Sequence, residues 1–520
     1  MTERTPITID DLYRLGWLED PRMSPDGRQV AFVRVSVDRD GNSYRHAIWL
    51  TSTDGGPARR FTAGAKSDMM PRWRPDGQRL VFCSSRSGDA TQIYMIDLAG
   101  GEARQLTSLP YGASAPAWSP DGRQIAFLGR ASADERVAED SDAPTLEPAD
   151  DWDREHADAR RKHAEQQRFD PRVLTRLPYR GGTSFFDDRR NHIYVIELTD
   201  DDEDPPPTPR RLTDGDWHYS APVWMPDGQS ILTTATRDPE ADSIFSYYDL
   251  LRVPVPATGR AEALRLTEAG FSYYDPEPSP DGRLIALRRL PDDRPLAAGA
   301  RIAVLSADGP LRQAQDIAST GSGDTDTPRD LTAETDLSVE QHRWLPDGGG
   351  LLYTAEWRGA ESVYRVMLED EETRRQGDKE INSLPVSLSP SRVSPVFPAN
   401  GRIISEFDIG PDGSVAFIAG APDNPCDLFL RQPDGQELQL TRINDTLLAE
   451  RTVAPTMELL YRAPDGREVQ AWLLYPPDFD STKHYPLAVH IHGGPHVMWG
   501  PGTRSMWHEW QANAARGYVV

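Results

Sequence analysis

A turn tripeptide recurs along the chain and restricts the folds that the chain can adopt. Pro-Asp-Gly occurs seven times in similar surroundings, at 25–27, 75–77, 120–122, 226–228, 280–282, 346–348 and 411–413. Proline presets φ at the second position of a turn, aspartate accepts hydrogen bonds from nearby amides, and glycine adopts positive φ. Each copy precedes an apolar stretch, such as RQVAFVRV or SVAFIAG. The tripeptide therefore predicts a β-hairpin turn at each position.

The repeated unit extends beyond the turn. A second apolar strand follows the first, and a third ends in an apolar residue and a threonine, at Phe61-Thr62, Leu106-Thr107, Leu212-Thr213, Leu266-Thr267, Leu331-Thr332 and Leu440-Thr441. A further strand leads to the next turn and often ends in tryptophan, as at Trp73, Trp118, Trp224 and Trp344. Four strands per unit are typical of propeller blades, whereas solenoid repeats are shorter and sandwiches lack this period. We predict an all-β seven-bladed β-propeller over residues 21–450, after an N-terminal segment at 1–20.

The longest gap between turns, from Pro120 to Pro226, predicts an insertion. Residues 131–180 are highly charged and interrupt the third blade between its second and third strands. Residues 151–168 have helical composition, with acids preceding bases at helix spacing. The insertion is either a solvated decoration or a lid or partner contact.

The strand order predicts how the ring closes. The first blade begins near Asp20 with its innermost strand, and the seventh ends at Thr441 with its outermost strand. The sixth blade lacks an apolar-threonine pair, so its outer strand is less clearly marked. Because neither terminus contributes a strand to the other's blade, we expect the ring to be closed by packing alone.

Composition excludes several classes of partner. A formal net charge of −25 without a basic cluster argues against nucleic acid. No apolar run is long enough to span a bilayer, and the first residues do not resemble an export signal, so we expect no membrane partner and a cytoplasmic protein. Cys83 and Cys426 lie in apolar runs and are predicted to be small buried residues. The sequence leaves homo-oligomerisation open.

A second domain is predicted over residues 451–520. Two apolar segments, MELLYRA and REVQAWLLYPP, precede an apolar run at 487–492 that is expected to form a buried strand. A glycine pair, an amphipathic stretch at 504–515 and the apolar residues 518–520 follow. Strand, glycine loop, helix and strand form the N-terminal part of an α/β-hydrolase domain.

The glycine loop HGGPH at 492–496 is the candidate catalytic element. In α/β-hydrolases such a loop donates backbone N–H groups to the oxyanion of an acyl-transfer intermediate. Gly494 is the first candidate donor and Gly493 the second, since glycine lets substrate approach the backbone closely. The spacing of His490, His492 and His496 raises the question of a metal. No acidic or cysteine partner accompanies them, and we predict neither metal nor cofactor.

From about Ile9 to Val520 the chain resembles the prolyl oligopeptidase family of serine peptidases, and most of all its acylaminoacyl-peptidase branch. In that family an N-terminal propeller caps a C-terminal α/β-hydrolase, and His-Gly-Gly-Pro marks the oxyanion loop. The resemblance implies an oligopeptidase that cleaves short peptides, with the propeller as a size-selecting cap. It also implies a catalytic serine, aspartate and histidine beyond residue 520. No Gly-x-Ser-x-Gly motif occurs in these residues, so we expect the 520-residue chain alone to be inactive.

Two further considerations bear on substrate and class. The dipeptidyl-peptidase branch of the family holds a substrate's free amine with paired glutamates in the propeller. Here the adjacent pair Glu371-Glu372 lies in a polar segment, which favours substrates with blocked amino ends or internal bonds. The alternative function is a non-catalytic propeller that binds a partner. It predicts an export signal and a chain that ends near residue 450, and neither feature is present.

Overall fold

Antiparallel β-strands form most of the structure. The computed structural model describes residues 4–63, 66–88, 90–140, 180–181, 184–185, 187–199, 207–235, 248–267, 269–293, 298–308, 328–368, 393–397, 401–493 and 497–520. Its helices are a short 3-10 helix at Ile9–Tyr13, α1 at Ala133–Asp140, α2 at Asp445–Glu450 and α3 at Arg504–Ala515. Within these ranges, no helix is both long and apolar enough to cross a membrane.

Four strands per sheet is the recurring arrangement, as predicted. In the described residues, five sheets contain four strands each. The first is β2–β5 (Gly16–Met23, Gln29–Asp38, Ser43–Ser52, Arg59–Arg60), and the second is β6–β9 (Asp68–Trp73, Arg79–Ser84, Gln92–Asp97, Arg104–Gln105). The third is β10, β11, β14 and β15 (Ala113–Trp118, Gln124–Ala131, Arg190–Glu197, Arg210–Arg211). The fourth and fifth are β16–β19 (Val223–Trp224, Ser230–Ala235, Asp249–Pro254, Leu264–Arg265) and β20–β23 (Phe271–Pro278, Leu284–Pro291, Arg301–Ser306, Arg329–Asp330).

A larger sheet follows, and it combines two sets of four strands. They are β24–β27 (Val339–Trp344, Gly350–Trp357, Ala360–Met367, Val393–Pro395) and β28–β31 (Ile403–Ile409, Val415–Ala421, Asn424–Arg431, Glu437–Gln439). We call each set of four strands a blade; β2–β5 is the first blade, β24–β27 the penultimate blade and β28–β31 the last blade. The penultimate blade has an outer strand, β27, although it lacks the apolar-threonine pair.

Short pairs of strands lie outside the blades. They are β1 with β32 (Thr5–Pro6, Arg451–Thr452), β12 with β13 (Arg180–Gly181, Ser184–Phe185) and β33 with β34 (Thr456–Arg462, Glu468–Leu474).

The Pro-Asp-Gly turns join the first two strands of each blade and lie against one another. In the first turn the amide of Gly27 donates to the Ser24 carbonyl at 2.8 Å, and glycine adopts a φ of 72°. A Cβ built on Gly77 would lie 3.7 Å from Pro25, and one built on Gly27 would lie 3.3 Å from Pro411. At these places the turn of one blade therefore packs on the turn of its neighbour, including across the join between the first and last blades. The hairpin prediction is confirmed.

The threonine of each apolar-threonine pair makes the same type of hydrogen bond in its own blade. The threonine hydroxyl oxygen accepts a backbone N–H of the third strand, at 2.8 Å in the pair of Leu428 with Thr441 and at 2.9 Å in the pair of Ile93 with Thr107. The same bond occurs at Thr62, Thr213, Thr267 and Thr332. The fourth strand of these blades has only two or three residues, so the hydroxyl replaces a backbone acceptor beyond its end.

The tryptophans at the ends of innermost strands connect neighbouring blades. The indole N–H of Trp73 donates to the Arg22 carbonyl at 2.9 Å, and that of Trp224 donates to the Ala117 carbonyl at 3.1 Å. Trp118 and Trp344 make the same bond to the preceding blade. A buried apolar ring with one polar edge can thus pack in a seam and also hydrogen-bond across it.

The join between the first and last blades is closed by more than packing, so that part of the prediction is wrong. No described strand of one blade belongs to the other, and an apolar cluster that includes Leu18 and Leu428 fills the join. Backbone N–H groups of the first blade also donate to carboxylates of the last: Asp20 to Glu406 at 2.7 Å and Met23 to Asp408 at 2.8 Å. Innermost-strand amides have no further strand as partner, so these acidic side chains satisfy them.

Two further predictions concern the start of the first strand and the two cysteines. The first strand begins at Gly16 rather than near Asp20, where a positive φ of 51° bends the strand. Cys83 and Cys426 are buried free thiols, as predicted, and burial raises the pKa of each to about 12.

The insertion begins with a helix that is anchored to the third blade. The guanidinium group of Arg211, whose side chain is 3% exposed, donates to Glu139 and Asp140 of α1 at 2.8 Å each. The first turns of the insertion are thus held to the blade by ion pairs, although most of their residues are exposed. The predicted helical stretch at 151–168 lies outside the described residues.

Candidate functional site

The candidate glycine loop is preceded by an extended segment that pairs with Val519. The amide of Ala488 donates to the Val519 carbonyl at 2.9 Å, and the amide of Val519 donates to the Pro486 carbonyl at 3.0 Å. Val520 exchanges two further backbone bonds with Leu474 of β34, at 2.9 and 3.0 Å. In place of the two predicted strands, an isolated parallel bridge joins Leu487 and Val519, with α3 between them in the chain.

The expectation of a fully buried strand at 487–492 is wrong. Leu487, Val489 and Ile491 are 63%, 68% and 85% exposed. Ala488 instead packs in a cluster around Trp510 of α3. Side chains alternate across an extended segment, so one set packs on the helix, and no described element covers the opposite set.

The histidines around the loop contact different partners. His490 lies 3.8 Å from the Glu509 carboxylate, and its Nε2 is 3.5 Å from the amide nitrogen of Asn513. Nδ1 of His492 is 2.9 Å from the carbonyl oxygen of Gly493, and its ring packs at 5.5 Å from that of Trp499. His496 lies outside the described residues, among which no group of three potential metal ligands occurs.

Only one of the two candidate oxyanion donors lies in the described part of the chain. Gly494 lies outside the described residues. Gly493 is exposed, its φ is not in the left-handed region, and a Cβ built on it would meet no atom within 4 Å. Neither backbone conformation nor crowding by the described residues therefore requires glycine at 493.

The segment after the loop touches the penultimate blade. The backbone N–H of Gly359, in the turn between β25 and β26, points at the sulfur of Met498 at 3.0 Å. The backbone of Met498 and the ring of His492 also lie near the Glu356 carboxylate, where they offset part of the rise in its pKa. A substrate held at the glycine loop would consequently lie close to this edge of the propeller.

Two glutamates form a pair at that edge, and sequence reasoning missed it. Glu356 on β25 lies directly opposite Glu361 on β26. The strands are joined by Arg358 and Gly359, which both have positive φ, at 50° and 74°. A search for adjacent glutamates could not find this pair, although counting outward from the two-residue turn WRGA would have. Glu371-Glu372, the adjacent pair, lies outside the described residues.

Burial and neighbouring carboxylates raise the pKa of both glutamates of this pair. Burial raises the pKa of Glu361 to about 8, and repulsion from Glu356 and Glu340 adds to the shift. Burial and Glu340 also raise the pKa of Glu356. Carboxylates that are buried without a close cation retain their protons to higher pH. The prediction of substrates with blocked amino ends or internal bonds concerned an adjacent glutamate pair, and this cross-strand pair does not test it.

Comparisons with known proteins agree with the propeller and identify relatives of the whole chain. Residues 14–147 match a family model described as the TolB beta propeller domain. The uncharacterized peptidase YuxL of Bacillus subtilis is 28% identical over 99% of this chain and 70% of its own length. Dipeptidyl-peptidase 5 of Porphyromonas gingivalis is 22% identical over 99% of this chain and 67% of its own length.

The relatives of this chain are peptidases of the prolyl oligopeptidase type. Among solved structures, Pyrococcus horikoshii acylaminoacyl peptidase superposes with a TM-score of 0.68 at 18% identity, over 99% of this chain and 66% of that one. This likeness confirms the combination of a propeller with a hydrolase fold. The peptidase relatives found by sequence confirm the resemblance to the prolyl oligopeptidase family. The relatives also support the peptidase prediction over a non-catalytic propeller. The chain spans about two thirds of the length of these relatives.

Proposed function

We propose that these residues form the propeller and the oxyanion loop of a serine-type oligopeptidase or acylaminoacyl peptidase that cleaves short peptides by acyl transfer. Gly494 is the proposed first oxyanion donor and Gly493 the second. The observation that carries the proposal is the contact of Met498, two residues after the loop, with Gly359 at an edge of the propeller. A peptide whose carbonyl lay at the loop would be enclosed between the two domains, and enclosure favours short peptides over folded proteins.

The proposed organisation keeps the predicted boundaries, with an N-terminal segment at 1–20, a propeller at 21–450 and a hydrolase part at 451–520. We propose seven blades. The two halves of the eight-stranded sheet support this number because a single bridge, between Glu361 and Ile403, connects them. Each half also has its own Pro-Asp-Gly turn, at Pro346 and at Pro411.

The catalytic triad is proposed to lie outside these 520 residues, since they contain no Gly-x-Ser-x-Gly motif. In the complete site, a serine activated by histidine would attack the peptide carbonyl, and the loop amides would hold the negative charge that develops on its oxygen. Cytoplasmic location, oligomeric state and the absence of nucleic-acid and membrane partners stay predictions.

Labelling with a fluorophosphonate tests two parts of the proposal. The first is that the complete protein is a serine peptidase, and the second is that its nucleophile lies outside these 520 residues. We expect the 520-residue chain to remain unlabelled and to leave an acylated amino-acid anilide intact. A longer chain that adds the nucleophile should be labelled, and it should hydrolyse the anilide and short peptides but not a folded protein. Labelling of the 520-residue chain would place a nucleophile within these residues. Absence of hydrolysis by a folded longer chain would favour the non-catalytic propeller.

A further inference from the structure

Helix α3, which follows the glycine loop, contacts the hydrolase part with one face and the propeller with another. Gln511 and Trp510 face the hydrolase part. The Gln511 side chain accepts the amide of Ala454 at 2.7 Å, and Trp510 packs with Trp499 at a ring distance of 5.6 Å. Arg504, by contrast, points to the propeller. Helix α3 therefore packs against the hydrolase part, and side chains on another face contact the propeller.

On the first-blade side, α3 makes polar contacts through Arg504 and His508. Arg504 donates to the carbonyl of Leu18, on innermost strand β2, at 2.8 Å. His508, one turn further along the helix, lies with Nε2 3.0 Å from the carbonyl of Thr8, in the segment that leads into β2. Residues four positions apart lie on the same helix face, so both groups point toward the start of the propeller.

On the last-blade side, the same helix face makes two further contacts. The indole N–H of Trp507 donates to the carbonyl of Pro422, between β29 and β30, at 2.8 Å. Arg504 also lies 3.8 Å from the carboxylate of Glu406 on β28. Trp507 is 1% exposed and packs with Ile7 and Leu447, which precede and follow the ring in the chain.

The helix thus spans the one join of the ring where chain continuity is absent. No described strand crosses between the first and last blades. Innermost strand β2 ends in Met23, so this join also lacks the tryptophan bond found between four other pairs of blades. The backbone that leads into α3 comes close to the last blade as well, because a Cβ built on Gly502 would lie 2.7 Å from the carbonyl oxygen of Gly420.

We propose that α3 is the clasp of the propeller, and that the first and last blades separate only when α3 leaves the join. The hydrolase part then closes the ring in place of a shared strand. Because only residues 497–503 separate the glycine loop from α3, a movement that carries α3 out of the join would also displace the loop. Opening of the propeller and assembly of the loop would be mutually exclusive states.

Hydrogen–deuterium exchange of the 520-residue chain tests the clasp without reference to peptidase activity. In the double variant R504Q/W507F, the helix keeps its apolar bulk but loses its bonds to Leu18 and Pro422. The amides of Asp20 and Met23 are hydrogen-bonded across the join, so peptides covering 16–23 report its opening. We expect their exchange to accelerate about tenfold or more, because the bonds that oppose local opening are removed.

The control variant is Arg516→Gln, at the end of the same helix, where the side chain is exposed. Peptides covering 113–118, in a seam held by Trp118, should exchange at the wild-type rate in both variants. Unchanged exchange at 16–23 in R504Q/W507F would overturn the proposal. Faster exchange of all peptides by the same factor would also overturn it, because the loss of stability would then not be specific to the join.

Discussion

Glu356 and Glu361 face each other on neighbouring strands of the penultimate blade, with only Arg358 and Gly359 in the turn between them. Like charges directly opposite each other destabilise a sheet. The pair is compatible with folding because the pKa of Glu361 is raised to about 8 by burial and by neighbouring carboxylates, so this residue is protonated at neutral pH.

Replacing Glu361 by glutamine should stabilise the protein at alkaline pH. The folded chain holds the proton of Glu361 to about pH 8, whereas the ordinary pKa is 4.5, so wild-type stability falls as pH rises through this window. We expect the Tm of Glu361→Gln to exceed that of the wild type at pH 9 and the difference to shrink toward pH 5. Glu340→Gln, at a side chain that is 50% exposed, should change Tm less. A difference that does not vary with pH would contradict the raised pKa.

Removing the hydroxyl of Thr441 should destabilise the last blade. This oxygen accepts the amide of Leu428 at 2.8 Å and donates to Asp427 at 2.7 Å, and the side chain is buried. Thr441→Val leaves the amide without an acceptor, which costs about 1–3 kcal/mol. Thr441→Ser keeps the hydroxyl and should cost less. Thermal unfolding followed by circular dichroism compares them, and equal Tm values for the two variants would show that the hydroxyl is dispensable.

Loss of an indole hydrogen bond between two blades should destabilise the protein less than loss of the Thr441 hydroxyl. Trp224→Phe retains an aromatic ring but loses the bond to the Ala117 carbonyl, at a cost of about 0.5–1.5 kcal/mol. Trp357→Phe is the matched control, because Trp357 is 50% exposed. Denaturant unfolding monitored by circular dichroism should give a lower midpoint for the first variant only. The same midpoint in both would mean that the indole bond contributes nothing measurable.

Gly494→Val should remove most turnover of the peptidase that contains these residues. A β-branched side chain restricts the backbone and obstructs the approach of a carbonyl to the loop amides. Loss of one oxyanion donor lowers kcat by about two to three powers of ten. Hydrolysis of an acylated amino-acid anilide measures the effect, with circular dichroism to establish folding. Gly88→Val, at an exposed glycine in the propeller, is the control. Near-normal turnover of folded Gly494→Val would refute the assignment.

Features that depend on a few consecutive residues could be predicted from the sequence alone. The turn at Pro25 to Gly27 forms from the φ preferences and hydrogen bonds of its own residues. Thr107 and its partner Ile93 lie on adjacent strands of one blade, so their bond follows from the repeat itself. Propeller and hydrolase parts were recognised for this reason, and the Glu356–Glu361 pair was within reach once its turn was counted.

Contacts between distant parts of the chain were decided only by the tertiary structure. Arg504 and Leu18 are 486 residues apart, and no local preference brings them together. Likewise, the amide of Asp20 finds Glu406 only after the ring has closed. The prediction that packing alone closes the ring failed here, because sequence periodicity reveals which residues form strands but not which side chains satisfy the exposed amides of an edge. Those partners depend on how complete blades dock, and docking is determined by the whole packed surface.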